Sequence, residues 1–150
     1  MRIEAALVEF LRRSGCSPIR GKAQGDANFP RLHYWMVSDE GEQTVTRGES
    51  ANSLAHFRFE AIGRGEHGYE DARALLDAAA AATGGVTGGL DLIHFRGWMP
   101  PPPASTGRVW IQSCRHGQTL AEDEQQPIEP RAKSLYVVGF DLTIAYWDGA

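Results

Sequence analysis

The stretch Ser134–Trp147, "SLYVVGFDLTIAYW", is the longest alternating run in the chain. Tyr136, Val138, Phe140, Leu142, Ile144 and Tyr146 fall on one side of an extended backbone, opposite Leu135, Val137, Gly139, Asp141, Thr143, Ala145 and Trp147. Successive side chains of a strand point to opposite faces, so the pattern predicts one long strand with a continuous apolar face. Such a strand needs neighbours along its edges and a second layer over its apolar side.

Both are legible upstream. In "LAHFRFEAI" (54–62) Phe57, Phe59 and Ala61 alternate with His56, Arg58 and Glu60, the pattern of a strand with one buried and one wet face. "RLHYWMV" (31–37) carries apolar bulk on both sides and reads as a central strand, while "LDLIHFRGW" (90–98) and "RVWIQSC" (108–114) supply two more. The polar run 38–53 suits an exposed hairpin loop, and 16–28 has little periodicity.

Two helices complete the set. From Arg2 to Arg13, Ile3, Ala6, Leu7, Phe10 and Leu11 recur at helical spacing before a Ser14-Gly15 stop. A second helix, about 69–83, opens with Glu70 and Asp71 where carboxylates favour the positive end of the macrodipole, and stops at Gly84-Gly85. Its inward stripe is Ala72, Leu75, Leu76, Ala79 and Ala82, a small-residue face that lets a helix lie flat on a sheet. The alanines Ala78 to Ala82 are a packing surface for their own sheet or for a neighbouring subunit. The order of elements predicts an α+β fold: a mostly antiparallel β-sheet with both helices packed on one face, as a single domain over 1–150.

A chain of 150 residues, 42% apolar and 23% charged, is long enough to bury a core without disulfides or metal. Its net charge of −4 gives no broad footprint for DNA phosphates, which argues against sequence-specific DNA binding. No segment approaches the roughly 18 apolar residues of a membrane span, no secretory layout opens the chain, and a cytoplasmic location is expected. Cys16 and Cys114 read as reduced thiols, a single long-range disulfide being the alternative.

Motifs of chemistry are scarce. His33, His56, His67, His94 and His116 form no HExxH, HxH or His/Cys cluster, and His56 falls on the wet face of its strand. Glu122, Asp123, Glu124 and Glu129 match no calcium loop and are interrupted by Pro127 and Pro130. "GRGEHG" and "GGVTGG" are turns rather than phosphate cradles. The expectation is a chain with no catalytic residues, no metal and no cofactor. What stands out is apolar material expected to be exposed, Trp98 and Met99, just ahead of Pro100, Pro101, Pro102 and Pro103 in an extended, protruding Pro-rich loop at about 97–107. These six residues are the candidate partner-binding set, because tryptophan is enriched at interfaces and a polyproline arm is ordered before binding. The other reading has Trp98 packing back on the sheet.

Taken together, "IEAALVEFLRRSG", "FPRLHYWMVS", "HFRFEAIGRGEHGYEDARALLDAAAAATGG" and "EDEQQPIEPRAKSLYVVGFDLTIAYW" resemble, in order and spacing, the tail completion (tail terminator) proteins of long-tailed bacteriophages. The likeness spans nearly the whole chain and departs at "LDLIHFRGWMPPPPASTG", which is longer than the family's usual connection. The resemblance implies a non-enzymatic virion protein at the tail-to-head junction, assembled in the host cytoplasm. Its implied partners are further copies of itself in a ring, usually hexameric, the tail tube protein, and the head-side neck or stopper protein. DNA would pass through the lumen without sequence-specific binding. Another phage neck or tail-tube ring protein is the alternative. From a different class, so is a small hydrolase or isomerase using His33 or His94 with a carboxylate.

Overall fold

The computed structural model describes residues 2–21, 29–41, 53–102, 108–117 and 135–149. Its elements are α1 (Arg2–Arg13), β1 (Ile19–Arg20), β2 (Arg31–Gly41), β3 (Ser53–Arg64), α2 (Gly68–Ala80), β4 (Gly97–Trp98), β5 (Arg108–His116) and β6 (Leu135–Gly149). They form one six-stranded sheet in the order β1-β2-β3-β6-β5-β4. β1 runs parallel to β2, and the other neighbours are antiparallel. The fold is α+β.

The long alternating strand is the sheet's spine. β6 pairs with β3 from Ser53↔Tyr146 to Arg64↔Leu135, which sets Ala55, Phe57, Phe59 and Ala61 beside Ile144, Leu142, Phe140 and Val138. All eight are buried, and the Phe59 and Phe140 rings stack at 5.1 Å. Leu32 and Tyr34 extend this face on β2, and Val109, Ile111 and Cys114 extend it on β5. Ile3, Ala6, Leu7, Phe10 and Leu11 of α1 close over it together with Ala72, Leu76 and Ala79 of α2, in one core.

α2 lies close because glycine permits it. A Cβ on Gly63 would sit 1.7 Å from the carbonyl oxygen of Gly68, so β3 and the first turn of α2 meet backbone to backbone. The helix ends at Ala80, earlier than the alanine run implies, and Ala82 is buried just beyond it. There the Ser14 hydroxyl oxygen accepts from the N–H groups of Thr83 (2.9 Å), Gly84 (2.7 Å) and Gly85 (3.3 Å). The end of α1 thus satisfies the turn that stops α2.

Four expectations are corrected. "LDLIHFRGW" is mostly turn: the Asp91 carboxylate accepts from the His94 N–H at 3.0 Å, Leu92 is buried, and Phe95 meets Phe10 edge-on at 4.9 Å. An Asp that bonds the backbone ahead of it favours a turn over a ladder, so only Gly97–Trp98 pairs. The unperiodic region after α1 hides β1, too short to leave a pattern. The second face of β3 is not uniformly wet: Arg58 is 8% exposed, lies 3.2 Å from Asp141 and 3.7 Å from Glu60, and Ile62 is buried. Gly139 makes room for that guanidinium, since a Cβ there would sit 2.8 Å from Arg58 Nη2. Of the expected 38–53 loop, residues 38–41 are strand and pair with β3 as the end of β2, and Ser53 opens β3; residues 42–52 and the carboxylates at 122, 123, 124 and 129 lie outside the described residues.

Two outcomes follow. Ser14→Ala takes the acceptor from the part-buried N–H groups of Thr83 and Gly84, and is expected to lower unfolding free energy by about 1–3 kcal/mol in urea titration. The side chain of Glu9 is held by Arg12 and Arg13 at 2.7–3.0 Å, and their hydrogen bonds draw its carboxyl from the ordinary 4.5 down to about 2. A depressed carboxyl stabilises the fold above its unfolded pKa and loses that contribution as pH falls through the folded one. Melting temperature should therefore fall between about pH 4.5 and about pH 2 less steeply in Glu9→Gln than in the parent chain.

Candidate functional site

Both helices occupy one face of the sheet, and the other face carries the most distinctive chemistry. Strand register places Trp98 of β4 opposite Trp110 of β5, and Trp110 opposite Trp147 of β6. The three indoles form a rung across adjacent strands. Trp98 meets Trp110 edge-on at 5.2 Å and leans on Trp147 at 5.5 Å. Trp98 and Trp110 nevertheless remain 39% and 38% exposed, an unusual state for large aromatic rings.

Local sequence explains the rung. On β5, Val109 and Ile111 are buried, so Trp110 between them must point the other way. Gly97, at φ 115°, turns the chain into β4 through a conformation that favours glycine, and Trp98 arrives beside Trp110. The Met99 N–H then donates to the Val109 carbonyl at 2.9 Å.

That geometry revises the candidate partner-binding set. Met99 is 1% exposed and belongs to the core, because neighbouring residues on an extended chain face opposite sides and Trp98 takes the outer one. Pro101 is exposed and Pro100 half-buried, whereas Pro102 folds back beside Ala5, Val8 and Tyr34 rather than protruding. Pro103 lies outside the described residues. Trp98 packs on the sheet beside Trp110 and Trp147 while staying partly open to solvent. Trp110 and Trp147 were missed; the signal was their position on the outward side of two alternating runs, but only the pairing of those runs brings them to Trp98.

Next to the rung runs a groove of about 480 Å³ lined by Leu54, His56, Gln112, Ser113, Arg115, Thr143 and Ala145. A bulge between Ile111 and Ser113 brings both Gln112 and Ser113 to its rim. His56 Nδ1 lies 3.0 Å from the Thr143 hydroxyl, and farther along the face Arg58 pairs with Asp141. Arg108 and Arg115, exposed on β5 at either side of Trp110, make no ion pair with a carboxylate of the described residues. The face is aromatic at one end, cationic along β5, and neutralised toward its centre.

Among the described residues the other titratable groups are not gathered into a reactive set. His33 is buried, with Nδ1 2.9 Å from the Gly21 carbonyl oxygen, and burial lowers its pKa. His94 pairs with Asp91 at 2.7 Å on an exposed turn. His116 lies 4.5 Å from the Phe140 ring, and burial lowers its pKa as well. Cys16 and Cys114 are free thiols; burial pushes both upward, Cys114 to about 12, away from thiolate reactivity. Among the described residues no group of three or more His, Cys, Asp or Glu side chains could hold a metal ion, and no helix is long and apolar enough to cross a membrane. Comparison with protein-family models and with curated proteins finds no match to the chain.

Met99→Ala is expected to cost about 2–5 kcal/mol in denaturant unfolding, the range for truncating a buried large side chain. A Gly-Ser replacement of residues 98–102 should therefore lower stability, and an unchanged midpoint would show that Met99 contributes nothing to the core.

Proposed function

We propose that the chain is a tail completion protein: a ring-forming, non-enzymatic virion subunit that caps the tail tube, stops its polymerisation and joins it to the head-side neck. The observation that carries the reading is the tryptophan rung. Two large indoles left open on a sheet face are material for a protein contact, since Trp is concentrated where interfaces are most deeply desolvated. A ring subunit needs such a surface, because each copy must meet a neighbour through faces that its own fold leaves unburied.

Support also comes from the resemblance along the chain. The family-like segments "FPRLHYWMVS" and "HFRFEAIGRGEHGYEDARALLDAAAAATGG" contribute β2, β3 and α2, and the closing segment contributes β6. In this reading the tail tube protein and the head-side stopper are the other partners, the subunit resides at the tail-to-head junction, and DNA traverses the lumen without sequence-specific contacts. In the phage that carries the gene, deletion is expected to yield headless tails of uncontrolled length. Normal tails joined to heads, or the complete absence of tail tubes, would overturn the assignment, the latter in favour of a tube subunit.

A further inference from the structure

Resting on the ring reading, we infer that the tryptophan rung and its flanking arginines dock on the outer side of α2 of a second copy of this chain. The two surfaces lie on opposite sides of one subunit. α2 packs its buried residues, Ala72, Leu76 and Ala79, against the sheet's core face, so its outer side points away from the sheet. The indoles of Trp98 and Trp110 stand on the face that the helices do not cover. A contact between two such surfaces is heterologous: it leaves one donor and one acceptor surface free on every dimer, the arrangement that closes into a ring when the rotation permits.

Charge selects this pairing over the symmetric one. Arg108 and Arg115 flank Trp110 on β5, with no carboxylate paired to either among the described residues. Packing two rungs face to face would press these guanidinium groups toward their own copies, and like charges in a desolvated contact are penalised. The outer side of α2 offers the complement. Glu70, Asp71 and Asp77 are exposed there, around Ala74 and Ala78; Asp77 already carries Arg73 at 3.2 Å and Glu70 lies 3.5 Å from His67, so three carboxylates against one arginine leave the helix surface net negative. Carboxylates can meet the guanidiniums while the alanines, lacking bulk beyond Cβ, let flat indoles approach the helix closely.

Sedimentation velocity of the 150-residue chain tests the contact. The parent is expected to form concentration-dependent oligomers, and a strict monomer at every concentration overturns the inference. Trp98→Ala with Trp110→Ala removes the sheet-side surface, and Ala74→Arg with Ala78→Arg blocks the helix side. Each pair should weaken self-association by about tenfold or more. Mixing the two variants should give a one-to-one dimer that grows no further, since one intact surface of each kind remains. Unchanged association in either variant, or no mixed dimer, overturns the inference.

Should the tryptophan variant unfold, Arg108→Glu with Arg115→Glu replaces it. That change should dissociate the oligomer alone and restore it when combined with Glu70→Arg and Asp71→Arg; failure of the restoration overturns the pairing. The outcome is separable from the functional reading. A chain whose α2 variant still controls tail length refutes this contact only, whereas an oligomer that behaves as expected in a chain without effect on tails refutes the tail assignment only.

Discussion

The antiparallel pairing of β3 with β6 is the constraint on which the rest of the molecule depends. It aligns two alternating sequences so that Phe57, Phe59, Leu142 and Phe140 share one side, and the stacked Phe59 and Phe140 rings sit at the middle of that side. A slip of β6 by one residue would carry Asp141 and Thr143 into the core and turn Phe140 and Leu142 out, so the register is strongly specified. Gly139 reinforces it from the other face. A Cβ there would press 2.7 Å from the Phe59 carbonyl oxygen and 2.8 Å from the Arg58 guanidinium, so the glycine has to meet these partners.

Once that register is set, the helices have little freedom. Gly63 and Gly68 bring the start of α2 against the β3 backbone, and Ser14 binds the turn that ends it. Between these two ties the alanines resolve into alternating roles. Ala72, Ala79 and Ala82 are buried, while Ala74, Ala78 and Ala81 face outward. The alanine run that offers so little burial is thus a spacer: it lets the helix lie close to its own sheet and leaves a low, smooth surface outside. α1 is secured differently, through buried Glu4, which accepts from the Tyr34 hydroxyl at 3.0 Å and pairs with Arg20 at 2.9 Å.

Covering one face with both helices concentrates what is left over on the other. Toward its centre, Arg58 is satisfied internally by Asp141 and Glu60. At the β4 end, three indoles contact one another without covering one another, because an edge-on pair shields less ring surface than a core would. The sheet therefore has one face sealed by the helices and another that keeps two large indoles partly exposed.

The longest elements were legible in the sequence alone, because periodicity of 2 or 3.6 over ten residues reports directly which side faces the core, whereas the nine-residue strand expected at 90–98 is mostly turn. β3, β6, α1, α2 and the buried partners Phe57, Phe59, Phe140 and Leu142 follow from that rule. Short elements escaped it: β1 has two residues, and the turn at Asp91–His94 is set by one side chain bonding to the backbone. Trp98 was visible as a candidate, but Met99 was placed on the wrong side, although alternation along β4 decides it. The rung itself belongs to tertiary structure. Trp98, Trp110 and Trp147 lie far apart in the chain, and their meeting depends on strand order and register. Alternation determines which face a residue takes within its own strand; only the pairing of strands, a contact between distant segments, determines which residues stand beside it.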